Sequence, residues 1–245
     1  MSTIEMLGWA PLLGLLLTMP VYAARARGRT FDTDVARRGA SIVLGHWVRD
    51  WMVWVIGPIE RLLIRKRTLP DTLNFAGVVL GLLAGASFIA RAPVVAAWCI
   101  ALSGVSDILD GRVARALGVT SARGEFLDST LDRFAETFTF VGVAWYLSGT
   151  AWMAAATVLA IGGSLLVSYT RARGEAVGVT CTAGLAQRAE RIVLLAIASL
   201  FDSTVTRALE WSPGALLAGA VVAIAVGSIG TAIYRTIVIT RALAR

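Results

Sequence analysis

Four aspartates between residues 107 and 132 are the side chains best placed to do chemistry. Asp107 and Asp110 are three residues apart, and Asp128 and Asp132 are four apart, so each pair shares one face of a helix. Converging carboxylates repel one another unless a cation lies between them, and oxygen-only ligands favour magnesium, manganese or calcium over zinc. The spacing therefore predicts a metal site. The alternative is that each aspartate forms a structural salt bridge with a neighbouring arginine: Arg112, Arg115, Arg123 or Arg133.

The rest of the composition excludes several other kinds of site. The single histidine, His46, leaves no histidine-based triad or zincin motif. The two cysteines, Cys99 and Cys181, are too far apart in sequence for a CxxC zinc site and are expected to pack as small apolar residues. Catalysis would therefore depend on carboxylates, arginines or a metal.

The elements that carry the aspartates are those of a membrane protein. The 245 residues are 57% hydrophobic and 16% charged, and the mean hydropathy is +0.73. We predict an all-α integral membrane protein with a six-helix transmembrane bundle, in which the short turn at 118–124 brings the two aspartate pairs together. The six stretches long enough to cross a bilayer are 72–90, 94–118, 125–147, 151–171, 187–205 and 214–240.

The first 67 residues differ from the bundle. Residues 7–24 are apolar and are followed, not preceded, by arginines, which predicts an extra N-terminal transmembrane helix and not a signal peptide. Trp47, Trp51 and Trp54 then share a helix face, which predicts an amphipathic interfacial helix ending or kinked near Gly57–Pro58, or tryptophans packed against the bundle. The predicted units are 1–40 (anchor and basic linker), 41–67 (interfacial helix) and 68–245 (transmembrane domain).

The charge distribution predicts an orientation. The chain has 23 basic and 16 acidic residues, and Lys66 is its only lysine. No soluble basic domain is visible, so we expect no nucleic-acid partner. The excess of arginine in alternate loops instead predicts a protein of the cell (inner or plasma) membrane, with the aspartate site facing the cytoplasm.

Eight positions around the aspartates form a recognisable pattern. They match DxxDGxxARx8Gx3Dx3D, which resembles the signature of the CDP-alcohol phosphotransferases, and the resemblance covers roughly residues 68–241. They are Asp107, Asp110, Gly111, Ala114, Arg115, Gly124, Asp128 and Asp132.

The family resemblance implies a reaction. A phosphatidyl group moves from a CDP-lipid such as CDP-diacylglycerol to a polar alcohol, CMP is released, and the product enters phospholipid biosynthesis. It also implies that the four aspartates hold Mg²⁺ or Mn²⁺, with two ions expected, and that Asp132 takes the proton of the acceptor hydroxyl. A homodimer is implied by the resemblance alone.

The resemblance also implies a nucleotide side. Gly111 and Ala114 lack bulk beside the metal ligands and would leave room for cytosine and ribose. The segment LPDTLNFAG (69–77) resembles the family's entrance to the first span, where Asp71 is alternatively only a helix N-cap. Arg115 would contact a phosphate or hold an aspartate, and Gly124 would permit close helix approach or only a turn. The nucleotide-binding set is Asp71, Asn74, Gly111, Ala114, Arg115 and Gly124.

Three segments bear on the acceptor. LDSTLDR (127–133), SYTRARGE (168–175) and LAQRAERIV (185–193) resemble segments of the family's inositol phosphate branch. They predict a phosphorylated polyol bound by arginines, although positive-inside charge explains some of these residues without a substrate.

Glycerol phosphate or another alcohol is the first alternative acceptor, and a membrane transporter with an intramembrane carboxylate cluster is the second alternative function. The predicted phosphate-binding set is Arg171, Arg173, Arg188, Arg191 and Arg235.

Overall fold

The computed structural model describes residues 3–26, 32, 45–184 and 187–244. Within these residues the chain forms helices joined by turns, and no strand. The helices are α1 (Thr3–Arg25), α2 (His46–Arg65), α3 (Pro70–Ile89), α4 (Pro93–Leu117), α5 (Ala122–Tyr146), α6 (Ala151–Ala176), α7 (Arg188–Ala208) and α8 (Ala215–Leu243).

Helices α3 to α8 lie within a few residues of the six predicted stretches, which confirms the all-helical class. Among the described helices, α3, α4, α6 and α8 are long and apolar enough to cross a membrane. Helix α5 carries the charged residues of the aspartate motif, and α7 begins with Arg188, Glu190 and Arg191, so neither has a comparably apolar window. The count of six spans and the additional N-terminal span stay predictions.

The turn between α4 and α5 folds the second motif helix back on the first. Gly118 ends α4 with a positive φ of 67°, a conformation that favours glycine. Ser121 then begins α5 by accepting a hydrogen bond on Oγ from the Gly124 amide at 3.1 Å. These two local features make the reversal short, so α5 runs back along α4 and the aspartates of both helices lie close to one another.

The predicted end of α2 near Gly57–Pro58 is wrong, because the helix continues through Pro58 to Arg65. Pro58 lies on the exposed side of the helix, where its ring does not interfere with packing. The tryptophans pack against α1: the Trp51 indole donates to Thr18 Oγ1 at 2.9 Å, and the Trp47 and Trp54 rings contact Tyr22. Of the two interpretations of this face, packing is therefore present, with α1 as the neighbour.

Helix α3 lies between the two motif helices and packs extensively against both. Its glycines meet α5 at backbone distance: a Cβ on Gly81 would lie 2.6 Å from the Ala135 carbonyl oxygen, and Gly85 faces Gly142. Toward α4, the Ser106 hydroxyl donates to the Leu73 carbonyl at 2.8 Å. Helix α3 therefore acts as a spacer that sets the separation of α4 and α5.

A buried aspartate fixes the far end of the bundle. The Asp202 carboxylate of α7 is almost inaccessible and accepts hydrogen bonds from the amides of Gly214 (2.9 Å) and Leu217 (3.1 Å) at the start of α8. It therefore caps the next helix from a distance, a role that the sequence pattern did not reveal.

We expect Gly81→Ala to destabilise the protein by about 3 kcal/mol, because the new methyl group overlaps the Ala135 backbone and neither helix can yield locally. The matched control is Gly162→Ala on α6, where a Cβ meets nothing within 4 Å. Thermal unfolding in detergent should show a lower Tm for the first variant only. Equal Tm values would contradict the close α3–α5 crossing.

Candidate active site

The two aspartate pairs meet between α4 and α5, away from the helix ends. At 1.5 Å per residue, Asp107 and Asp132 each lie roughly 15 Å along their helices from the connecting turn. One carboxylate oxygen from each of Asp107, Asp128 and Asp132 lies within 4.8 Å of the other two. The structure therefore brings three of the four predicted ligands into one cluster, with the spacing that a shared cation needs.

Asp110 lies beside this cluster and is only 4% exposed. Its carboxylate accepts a hydrogen bond from the Gly111 amide. The Asn74 side chain of α3 lies against Asp110 Oδ2 and Asp128 Oδ1, and with its amide nitrogen facing them it donates to both, at 3.2 Å to Asp128. Asn74 thus connects the fourth aspartate to Asp128 of the cluster.

Arg188, the first residue of α7, supplies the positive charge that this cluster requires. Its two terminal nitrogens lie 2.6 Å from Asp107 Oδ1 and 2.7 Å from Asp132 Oδ1, so one guanidinium bridges α4 and α5. Its Nε is buried and has no partner among the described atoms. The sequence identified Arg188 as a phosphate ligand but gave no sign that it pairs with the aspartates, which lie far from it in the chain.

Two of the neighbouring arginines pair with carboxylates outside the cluster: Arg112 with Asp32 and Glu60, and Arg123 with Asp71. Arg133 has NH1 3.7 Å from Asp132 Oδ2. Salt bridges to these three neighbours therefore do not account for all four aspartates, and the donor set fits divalent cations that prefer oxygen.

The predicted nucleotide residues fall into two places. Asn74 and Gly111 lie at the carboxylates, whereas Asp71 pairs with the exposed Arg123 at 2.7 Å. The N-cap alternative for Asp71 is wrong, since α3 begins after Leu69 without a side-chain capping hydrogen bond.

The other members of that set lie near the end of α4 and in the turn. Ala114 is half-buried, and Arg115 is exposed with its guanidinium close to Gly111. The Gly124 amide is used in capping α5 through Ser121, which agrees with the turn interpretation.

Arg191 is engaged inside the protein. It is 3% exposed, and its guanidinium donates to both oxygens of Glu136 on α5 at 3.0 and 3.3 Å. Sequence reasoning missed Glu136, although it lies one helical turn beyond Asp132 on the same face. A small cleft of about 30 Å³ between α4, α5 and α7 is lined by both residues of this pair and by Arg188.

The remaining predicted phosphate ligands do not share that cleft. Arg235 is 4% exposed and donates to the carbonyls of Val167, Thr182 and Ala183 at 2.8 to 3.1 Å, which ties α8 to the end of α6 and the segment after it. Arg171 pairs with Glu175 at 2.9 Å on the surface, and Arg173 is exposed. The structure thus does not bring the five arginines around one open space.

We expect Arg191→Met to destabilise the protein by about 3–5 kcal/mol, because Glu136 would be left charged and buried without a partner. Adding Glu136→Leu removes that charge and should restore most of the stability, as measured by Tm in detergent. If the double variant is no more stable than Arg191→Met, the buried charge of Glu136 is not the cause of the destabilisation.

Comparisons with known proteins agree with this geometry. The family model for CDP-alcohol phosphatidyltransferase matches residues 67–227. The phosphatidylinositol phosphate synthase of Streptomyces avermitilis is 36% identical over 88% of this chain and 88% of its own length. The archaetidylinositol phosphate synthase of Pyrococcus horikoshii is 38% identical over 60% of this chain and 78% of its own.

Solved structures similar to this chain also include phosphatidylinositol phosphate synthases. A crystal structure of Mycobacterium tuberculosis phosphatidylinositol phosphate synthase with CDP-DAG bound is 25% identical, with a TM-score of 0.65 over 74% of this chain and 92% of that one. The same enzyme in complex with manganese and citrate has a TM-score of 0.66 at 25% identity, over 74% of this chain and 87% of that chain. These findings decide against the transporter alternative. The chain belongs to the CDP-alcohol phosphatidyltransferase family and is a membrane transferase of phospholipid biosynthesis.

Proposed function

We propose that this protein transfers the phosphatidyl group of CDP-diacylglycerol to inositol phosphate and releases CMP. The observation that carries the proposal is the cluster of Asp107, Asp128 and Asp132 bridged by Arg188, since it combines ligands for cations with a guanidinium suited to phosphate. Relatives named for phosphatidylinositol phosphate and archaetidylinositol phosphate synthesis support the acceptor. The structure solved with CDP-DAG bound supports the donor.

The four aspartates would hold two Mg²⁺ or Mn²⁺ ions. Support comes from the all-oxygen donor set and from a similar enzyme solved in complex with manganese. When bound, such ions neutralise the diphosphate and the charge that develops on the leaving CMP. The ligands proposed are Asp107, Asp110, Asp128 and Asp132.

Asp132 is the proposed base. The acceptor hydroxyl oxygen forms a bond to the phosphorus that carries the lipid, the phosphoanhydride bond to CMP breaks, and the hydroxyl proton passes to the Asp132 carboxylate. Its partner Arg188 holds Oδ1 at 2.7 Å, which fixes the direction of the carboxylate.

The nucleotide half of the CDP-lipid would bind on the α3 and α4 side. Gly111 and Ala114 lack bulk beside Asp110, and the Asn74 amide lies there, but the Arg115 guanidinium lies over Gly111 and would have to move for a base and ribose to enter. The residues proposed for this side are Asp71, Asn74, Gly111, Ala114, Arg115 and Gly124.

Arg188 is the central arginine of the proposed acceptor site. Its guanidinium borders both the carboxylates and the cleft, and its Nε has a hydrogen left to donate. The other arginines are included on the sequence resemblance, since Arg191 and Arg235 already have protein partners and Arg171 pairs with Glu175. These additional residues are Arg171, Arg173, Arg191 and Arg235.

We further propose that α3 to α8 all span the cell membrane, with α1 as an additional span and the site facing the cytoplasm. Loops at the site end carry Arg115, Arg123, Arg171 and Arg173, whereas Arg91 and Arg207 are at the other end. The proposed units remain 1–40, 41–67 and 68–245. A homodimer is included on family resemblance alone.

The function is tested by CMP release from CDP-diacylglycerol with Mg²⁺ by the purified protein. We expect stimulation by inositol phosphate, and not by inositol, glycerol phosphate or serine, and loss on chelation because the diphosphate charge is then unscreened. Asp132→Asn should keep the fold and metal binding but lose turnover. Stimulation by another acceptor would overturn the substrate, and no CMP with any acceptor would overturn the proposal.

We expect Arg188→Gln to raise the KM for the acceptor roughly tenfold or more, with a smaller change in the KM for the CDP-lipid, because the acceptor phosphate loses a charged hydrogen bond. We also expect a lower kcat, because Asp107 and Asp132 lose the guanidinium that bridges them. The matched control is Arg207→Gln, at the opposite end of the same helix. Steady-state kinetics with each substrate varied in turn gives the comparison. Equal changes in both KM values would argue against the phosphate contact.

A further inference from the structure

Arg112 connects the metal helix to a part of the chain that the family model does not cover. The model begins at residue 67, and Arg112 binds two carboxylates that precede it. Its terminal nitrogens contact Asp32 Oδ1 at 3.1 Å and Asp32 Oδ2 at 3.2 Å, and its Nε donates to Glu60 Oε2 at 2.9 Å. The N-terminal segment therefore binds the Arg112 guanidinium through both its terminal nitrogens and its Nε.

The same network continues to α1. The Asp32 amide donates to Asp50 Oδ1 at 2.7 Å, and the Tyr22 hydroxyl donates to Asp50 Oδ2. A chain of hydrogen bonds therefore runs from α1 through α2 and Asp32 to Arg112 on α4. Tyr22, Asp50 and Asp32 are thus connected to this one arginine, whereas the start of α1 contacts α4 and α7 separately through Gly8 and Trp9.

Arg112 and Asp110 hold opposite sides of one turn of α4. Residues two apart in an α-helix are about 200° apart around its axis. Asp110 faces inward to Asn74 and Asp128, whereas Arg112 faces the N-terminal segment. A rotation of α4 that moved Asp110 out of the site would also have to break the Arg112 contacts.

The contacts of Arg112 with the N-terminal segment matter for α4 because α4 and α5 contact each other only slightly. Helix α4 packs mainly against α3 and α7, and it contacts α5 far less. The aspartates of the two helices repel one another, so direct contact cannot hold α4 in register. Packing against α3 and α7 and the contacts of Arg112 are the interactions left to fix its rotation.

The Arg112 contacts are strong enough for this task. The side chains of Arg112, Asp32 and Glu60 are 14%, 26% and 15% exposed, so solvent screens them less than a surface pair. The planar fork also fixes direction, which a single point charge does not.

We propose that Arg112 is a positioning residue for the carboxylate site: through Asp32 and Glu60 it uses the N-terminal segment to fix the rotation of α4. The inference rests on the proposed metal binding by the aspartates, and not on the acceptor or the lipid.

The test is the affinity of the full-length protein for Mn²⁺ in detergent, measured from the electron paramagnetic resonance signal of free Mn²⁺. Three variants remove one partner each: Arg112→Gln, Asp32→Asn and Glu60→Gln. The matched control is Arg65→Gln, an exposed residue of α2. If Arg112 positions α4, all three variants bind Mn²⁺ about tenfold more weakly, because displaced ligands lose coordination geometry. The control binds as the wild type does.

The direction of the change in Mn²⁺ affinity distinguishes a positioning role of Arg112 from a purely electrostatic one. Loss of a nearby positive charge should tighten Mn²⁺ binding, whereas loss of a negative charge should weaken it. Tighter binding by Arg112→Gln would therefore overturn the proposal, as would unchanged binding in all variants. The double variant Arg112→Gln with Glu60→Gln should bind no more weakly than Arg112→Gln, because both changes break one network. Additive losses would also count against it.

The readout is independent of turnover. If CMP release failed for every acceptor, Mn²⁺ binding and its response to these variants would still decide the role of Arg112. A wild-type protein that bound no Mn²⁺ would overturn both the metal site and this inference. Arg112→Lys keeps the positive charge but not the planar fork, so weaker Mn²⁺ binding by this variant keeps the test decisive if Arg112→Gln does not fold.

Discussion

Mutual repulsion among carboxylates inside an apolar bundle is the constraint on which the rest of this structure depends. Asp107, Asp110, Asp128 and Asp132 are gathered in a space where unpaired charge is costly. The compensation comes from Arg188, which the fold delivers from another helix by starting α7 at the level of the site. The order and length of the helices are therefore needed to balance the charge of the aspartates as well as to bury apolar surface.

A second constraint follows, because repelling helices need a scaffold. Helix α3 supplies it by accepting hydrogen bonds on its own carbonyl groups from both motif helices. Ser106 of α4 donates to the Leu73 carbonyl at 2.8 Å, and Thr139 of α5 donates to the Gly81 carbonyl at 3.4 Å. Glycine on α3 lets α5 approach to backbone contact. The aspartates are therefore held at close range by a helix that contributes none of them.

The sequence predicted what depends on local spacing and missed what depends on distant partners. The six bundle helices and the convergence of the aspartate pairs follow from apolar periodicity and a short turn, and both were found. The pairing of Arg188 with Asp107 and of Arg191 with Glu136 joins residues far apart in the chain, which no local pattern encodes. Arginines at helix ends look alike in sequence whether they bind a substrate, a carboxylate or a carbonyl.

The charge balance of the site also bears on its substrate. Four carboxylates face the two guanidinium groups of Arg188 and Arg133, which leaves about two negative charges uncompensated. This residual charge favours cations over a permanently closed salt-bridge network. With two divalent ions, as proposed, the balance becomes about two positive charges, which matches the two negative charges of a CDP-lipid diphosphate.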